Sequence, residues 1–377
     1  MGTYRVCVYA ICKNEGEFVE RWMNSMSEAD MVVVIDTGST DDTVEKLKSI
    51  GAVVYEEQIE PWRFDTARNI SLTYVPDDID ICVCTDLDEA FEPGWRKQLE
   101  QSWEADAHRG NYWFNWRLKE DGSPDTQFVY FKVHTRKDFV WEGPVHEYLR
   151  YTGNAEEKRV FINGMVLNHY PDAAKSRSSY MPLLELAVHE KPDDERYMYY
   201  LGREYFYTEQ WNRCIQTLEK HLSLPLATWK EERCASMRWI AKAYDELGDY
   251  SNSSKWFYRA VAECPYMREP YVECAMSAYL QKEWEKVFFF SREALKINEK
   301  SLNYVNMGYA WDETPHDLAG LACYWLGMFI ESSEHFQEAL AYAPNDERLN
   351  RNLALALTKS EGSIFAEDCA MYEEVKG

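Results

Sequence analysis

The stretch IDICVCTDLDE, residues 79–89, decides how this chain is read. Ile81, Val83 and the two cysteines form a short apolar run, which suits a strand buried on both faces of a parallel sheet. The run ends abruptly in Asp86-Leu87-Asp88-Glu89. Carboxylates packed this closely repel one another unless a cation or hydrogen-bond donors compensate. The carboxyl end of a strand in an open α/β sheet is where ligands bind. A divalent metal carrying a diphosphate would satisfy the pattern, because hard cations take oxygen ligands and keep positions open for substrate phosphates. A strand running into a solvated acidic turn is the plainer alternative.

Working outward, residues 4–11 (YRVCVYAI) read as a first strand that breaks into Cys12-Lys13-Asn14-Glu15-Gly16. A helix over residues 17–27 follows, then a strand, MVVVI, ending at Asp36. Ser39, Thr40 or Asp41 can cap the next helix, which Gly51 closes. A short strand over residues 52–55, a helix over 65–72 and the central stretch complete an alternation that means a parallel α/β sheet. Past Trp95 the rhythm changes. Residues 112–118 and 126–135 are aromatic and β-branched, with Glu120-Asp121-Gly122-Ser123-Pro124 between them, which is a hairpin signal. Further strand pieces are expected around Val140, over 145–149 and over 160–167. The polar residues 171–179 mark a domain boundary, giving 1–175 and 176–377.

The second part reads as all helix, and it repeats. Ile240-Ala241, Tyr250, Ala260 and Pro265 recur as Cys274-Ala275, Trp284, Ala294 and Glu299. The offset of 34 residues is the period of tetratricopeptide helix pairs. An earlier copy carries Leu201-Gly202, Tyr205, Trp211, Leu222 and Pro225, and a later one Ala319-Gly320, Tyr324, Ala339 and Pro344. Insertions fall near residues 226–232 and 302–315. Such copies bury a continuous core only when stacked.

The 377 residues suit two domains. A net charge of −24 argues against nucleic acid or an anionic membrane as partner. No stretch has the length of a membrane span. The opening MGTYRVCVYAICKNE does not read as a signal peptide. The ten cysteines form no zinc pattern, so buried reduced thiols in a cytoplasmic protein are expected.

Several motifs occur in order. They are Ala10-Ile11-Cys12-Lys13-Asn14-Glu15, Ile35-Asp36-Thr37-Gly38-Ser39-Thr40-Asp41, Phe64-Asp65-Thr66-Ala67-Arg68-Asn69 and Thr85-Asp86-Leu87-Asp88, then Trp141-Glu142-Gly143-Pro144-Val145-His146-Glu147 and Asn168-His169-Tyr170. As a set they resemble a family 2 glycosyltransferase of the GT-A fold over residues 4–170. A GT-A domain followed by tetratricopeptide repeats is similar to the branch that includes bacteriocin-peptide S-glycosyltransferases. The resemblance implies a nucleotide-sugar donor, UDP-linked for preference, and a divalent metal, manganese or magnesium. It implies that Asn14, Glu15 and Asp36 line the nucleotide pocket, that Arg68 lies near the nucleotide, and that Asp86 reaches the ribose or the metal. Asp88 would hold the metal, with His169 completing its site and His146 as rival. Gly143 would lie beside the donor sugar, and Glu147 would be the catalytic base toward an acceptor hydroxyl or thiol, with inversion at the sugar. Arg68 is open to a second reading as a structural ion-pair partner, and Glu147 to one as the partner of an arginine rather than a base. The implied partners are an acceptor peptide, protein or glycan, and a second copy of the chain through the repeats. Two other readings remain: nucleotidyl transfer to a sugar phosphate, and a non-catalytic repeat scaffold carrying a sugar-nucleotide sensor.

Overall fold

Alternation along the first strand sets up two cores. In a computed structural model, which describes residues 4–119, 121–172 and 180–360, strand β1 (Val6–Cys12) is buried along its whole length. Val6, Val8 and Ala10 enter a core on one face, while Cys7 and Tyr9 enter another on the opposite face. After helix α1 (Val19–Met26) come β2 (Met31–Asp36), α2 (Thr43–Ser49), β3 (Val53–Glu56), α3 (Phe64–Thr73) and β4 (Ile81–Cys84). In β4, Ile81 and Val83 join the first core and Cys82 and Cys84 the second. A side-chain period of two thus explains why the cysteine pair is two residues apart: both thiols belong to one face.

These strands are parallel, in the order β3-β2-β1-β4. The sheet then continues as a mixed one. Strand β5 (Glu89–Phe91), helix α4 (Trp95–Ser102), strands β6 (Arg109–Leu118), β7 (Pro124–Thr135), β8 (Phe139–Glu142), β9 (Tyr148–Tyr151) and β10 (Arg159–His169) follow in sequence. The full order is β3-β2-β1-β4-β7-β6-β10-β5, antiparallel beyond β4 except where β10 runs parallel to β6, and β8 pairs with β9 as a separate ribbon. The sheet is covered on both faces. Trp22 of α1, Leu47 of α2 and Trp95 of α4 close the first core; Leu72 of α3, Trp141 of β8 and Leu149 of β9 close the second.

The expected strands and helices are present, with three differences. Helix α4 begins at Trp95, just after Gly94 with φ of +88°, and buries Trp95 and Leu99 one turn apart. Strand β5 exists because residues 167–169 of β10 pair with it, a contact too distant in sequence to be read locally. The piece expected at 145–149 begins only at Tyr148, because Gly143 and His146 adopt positive φ and break the extended chain.

Contacts divide the chain into Met1–Pro192 with Leu302–Tyr304, and Asp193–Ser301 with Val305–Gly377. The boundary expected at 175 lies outside the described residues. Helix α5 (Tyr180–Glu190) belongs to the first unit. The second unit is helix pairs: α6 (Glu195–Tyr207) with α7 (Trp211–Ser223), α8 (Lys230–Glu246) with α9 (Tyr250–Glu263), α10 (Glu269–Leu280) with α11 (Trp284–Leu295), and α12 (Thr314–Trp325) with α13 (Phe329–Tyr342). Helix α14 (Glu347–Ser360) packs on the last pair through Leu349 and Ala356.

The small residues of the repeat are where paired helices touch. A Cβ on Gly202 would meet Leu218 Cδ2 at 2.3 Å, and one on Gly320 would meet the Phe336 ring at 2.8 Å. Ala241 and Phe257 hold the corresponding places in the second pair and share one core. We expect Gly202→Ala to destabilise the chain by about 1–3 kcal/mol, since overpacking outweighs the gain in helix propensity. A lower urea midpoint is the measurement; an unchanged or higher midpoint would show that α6 and α7 do not meet at this residue.

Candidate active site

The acidic turn is closed by its own third carboxylate. Asp86 N donates to Glu89 Oε2 at 2.9 Å, and Glu89 N donates to Asp86 O at 3.1 Å. Leu87 is buried and anchors the turn, and Trp22 Nε1 bonds Thr85 Oγ1 at 3.0 Å just before it. Asp88 O accepts Tyr170 N at 2.7 Å, which ties the turn to the end of β10. That tether brings His169 to Asp88, with Nε2 3.6 Å from Oδ2.

Each carboxylate is compensated differently. Asp86 Oδ1 accepts Arg68 Nη2 at 2.7 Å, and Oδ2 accepts Lys132 Nζ at 3.1 Å. Burial disfavours its charge, but Arg68 and Lys132 outweigh that and hold the carboxyl well below the usual carboxylate range. Asp88 faces His169. Glu89 is buried, and burial pushes it up to about 7. For His169, desolvation favours the neutral ring, but the Asp88 hydrogen bond and the Trp116 carbonyl prevail and raise its pKa.

Helix α3 fixes the opposite wall. Asp65, Arg68 and Asn69 lie three and four residues apart and so share one helix face. Asp65 Oδ2 accepts Gly143 N at 2.9 Å, and Asn69 bonds both the carbonyl (2.8 Å) and the amide (2.9 Å) of Trp141. Arg68 lies between them. Its Nε donates to Glu147 Oε1 while its Nη2 holds Asp86. Glu147 is thus an ion-pair partner of Arg68 in the free protein, with its side chain only 10% exposed. Its other oxygen has no hydrogen bond among the described residues. Gly143 has φ of +110°, a conformation glycine adopts at little cost. His146 stacks on Tyr180, so His169 is the histidine that meets Asp88.

The loops after β1 and β2 are laced together. Asn14, at φ of +56°, donates its amide to Ser39 Oγ at 2.8 Å, and its Oδ1 accepts Thr40 N at 2.7 Å. Glu15 N bonds Thr43 Oγ1 at 2.8 Å. Asp36 is nearly fully buried, and its oxygens accept the amides of Gly38 (3.0 Å) and Ser39 (2.9 Å). In the free protein Asp36 therefore stabilises its own turn.

The residues that sequence reasoning missed are Lys132, Glu89 as turn closure, and Asp65 and Asn69 as clamps. The Trp116 ring stacks on His169 at 4.3 Å and stays 49% exposed. The signal for Lys132 was a cation inside the strand-like run Phe131-Lys132-Val133, where burial demands an anionic partner.

Asp88 Oδ2 and His169 Nε2 are two donors of the types that divalent metals take. The Trp116 carbonyl can only accept, so at 3.1 Å it receives a hydrogen bond from Nδ1–H and leaves Nε2 directed at Asp88. That backbone partner is what an imidazole ligand ordinarily has. Among the described residues no group of three or more His, Cys, Asp or Glu could hold a metal. A diphosphate would have to supply the remaining oxygens.

A parallel β3-β2-β1-β4 sheet extended by mixed strands, with an acidic turn closing β4, is a GT-A-like fold. Residues 7–148 match the family model described as Glycosyl transferase family 2, and the chain carries a domain of that family followed by tetratricopeptide-type repeats. Among solved structures the chain is similar to the MamA protein (13% identity, TM-score 0.37), covering 45% of this chain and 83% of that one. It is also similar to YrrB, a TPR protein with an unusual peptide-binding site (12%, TM-score 0.39, 48% and 84%). A third likeness is to a thermophilic TPR protein of Thermus thermophilus (17%, TM-score 0.34, 48% and 90%).

Glu89 gives the turn a pH signature. Its folded value of about 7 exceeds the ordinary 4.5, so the folded chain binds more protons between those values. Stability contributed by this group therefore falls as pH rises from 4.5 to about 7. Glu89→Gln keeps an acceptor for the Asp86 amide and removes that loss. Its stability relative to wild type should rise across the window by on the order of 3 kcal/mol, read from urea unfolding at several pH values. A difference that is flat with pH would remove Glu89 from this role.

Proposed function

We propose that the chain moves a sugar from a nucleotide-sugar, UDP-linked, to an acceptor hydroxyl or thiol with inversion, using a bound manganese or magnesium ion. The observation that carries the reading is the Asp88–His169 pair at the end of β4 and β10, beside the Arg68-linked carboxylates Asp86 and Glu147. In this reading Asp88 and His169 hold the metal, which when bound offsets charge on the departing diphosphate. Asn14, Glu15 and Asp36 border the nucleoside, and the loops they lace form its rim. Gly143 lets the chain run close to the donor sugar. Arg68 holds Asp86 on one arm and orients Glu147 on the other. Glu147 takes the acceptor proton through the carboxylate oxygen that Arg68 leaves open.

The acceptor is a peptide, protein or glycan, and the repeats either bind it or join two copies. Among the described residues no helix is long and apolar enough to cross a membrane, and the described cysteines are free and buried, which supports a reducing, cytoplasmic setting.

A thermal-shift panel of nucleotide-sugars with and without manganese tests the donor half. One of them should stabilise the chain only when manganese is present; stabilisation that ignores the metal, or a pyrophosphate product, would overturn the reading. Asp88→Asn should lower turnover by about 10²-fold or more and abolish the manganese dependence of donor binding. Full activity in that variant, or in excess chelator, removes the metal from the proposal.

Glu147→Gln should lower turnover to a hydroxyl acceptor by roughly 10²–10⁴-fold while donor affinity holds. A cysteine acceptor should suffer less, because thiols ionise nearer neutral pH. Near-normal turnover with an unchanged pH–rate profile would mean that another group is the base.

A further inference from the structure

Helices α12 and α13 bring two histidines together. His316 lies in the first turn of α12 and His335 midway along α13. The close approach of the two helices at Gly320 and Phe336 sets the spacing. The two Nδ1 atoms face each other at 3.1 Å, with ring centroids 5.4 Å apart and planes inclined by 47°. Both rings are half-buried. Burial holds both imidazoles below the ordinary histidine value, His335 at about 4. Neutral rings at this distance have two options. They share one proton in an N–H···N bond, or, as two Nε2–H tautomers, they offer both Nδ1 lone pairs to one cation.

We propose that His316 and His335 form a two-imidazole site for a transition-metal ion of the zinc class, which cross-links α12 to α13. Zinc takes imidazole nitrogen at about 2.0–2.1 Å. Two such bonds set the nitrogens about 2.9 Å apart at a right angle and about 3.3 Å apart at the tetrahedral angle. The observed 3.1 Å lies between these limits. Each lone pair has only to swing about 35–45° off the N–N line, a turn about χ2, which is a soft torsion in histidine. Water fills the other positions. The surrounding charges are balanced: Arg268 acts against a cation near His316 and Arg292 near His335, while Glu338 and Glu331 favour one. Glu331 and Glu338 are exposed and lie four residues before and three after His335, so they flank it on one face of α13. Two imidazoles select zinc, copper or nickel over manganese or magnesium, which separates this site from the acidic turn. The proposal is independent of the transfer reaction.

The test is calorimetric titration of zinc chloride into the full chain near neutral pH, with no nucleotide present. Wild type is compared with His316→Gln, His335→Gln and His169→Gln. Wild type should bind zinc. His169→Gln should keep a zinc site of wild-type affinity within about twofold, while His316→Gln and His335→Gln should each weaken that site by about 10-fold or more. Absence of zinc binding by wild type overturns the proposal, and the N–H···N bond is then the whole role of the pair. Zinc lost in His169→Gln and kept in the other two also overturns it, because the ion then sits at the acidic turn. Should one of the paired variants fail to fold by circular dichroism, the other decides. Urea unfolding gives a second readout. Saturating zinc should raise the wild-type midpoint, since the ion binds only where both helices are in place, and should leave that of His335→Gln closer to its zinc-free value. A wild-type midpoint that zinc does not move overturns the cross-link.

Discussion

The Arg68 guanidinium is the interaction on which the first unit depends. It is almost fully buried and holds Asp86 at the end of β4 and Glu147 beyond β8. A buried cation is tolerated only when its donors are taken up by anions, and removing one partner of such a set costs far more than the set contributes. Arg68 therefore dictates where both carboxylates lie. Its ring contact with Trp141, 5.1 Å to the centroid, uses the flat face that the two acids leave open. Asp65 and Asn69 on the same helical face bind Gly143 and Trp141, so α3 grips the whole segment that ends in Glu147. One amphipathic turn of helix thus connects the acidic turn of a parallel sheet to a loop that sequence order places some sixty residues later.

The sheet explains why these groups gather at one edge. Parallel strands point their carboxyl ends the same way, so the loops after β1, β2 and β4 open on one side. The first two loops satisfy their polar groups on each other, through Asn14, Ser39 and Thr40. The third satisfies its groups on α3, β7 and β10. This division leaves the Asp88–His169 pair as the contact between the third loop and the end of β10.

Much of this was legible in the sequence. Continuous apolar runs at Cys7–Ala10 and Ile81–Cys84 announce strands buried on both faces, and the Ala241–Phe257 spacing recurs because paired helices must touch at one small residue. Charged residues at strand ends were also readable as a set. What sequence could not supply was pairing across distance. Strand β5 is three residues long and is defined by its partners in β10. Lys132 reads as an interruption in a strand until Asp86 is seen opposite it. Asp36 reads as a ligand group until its oxygens are found on the amides of Gly38 and Ser39.

The repeats contain a second perturbed cluster, and the comparison explains why only one is assigned to chemistry. Glu273 is buried between Arg238, at 2.7 and 2.8 Å, and Lys242, at 2.6 Å, with the Tyr309 hydroxyl also bonded to it. Burial alone would raise its pKa, but Arg238 and Lys242 hold it down to about 2, while burial pushes nearby Asp245 up to about 6. By perturbation alone this cluster rivals the acidic turn. Its bonds, however, are spent on architecture. Arg238 also binds Val305 O at 3.2 Å, and Trp311 Nε1 and Met307 N bond Glu269 on the same helix as Glu273. These contacts tie the insertion between α11 and α12 onto α8 and α10. A perturbed group marks a reacting site only where its charge faces a position that a ligand can fill. At Glu273 the second unit's own insertion fills that position, whereas in the proposed reading Asp88 and His169 leave it to substrate.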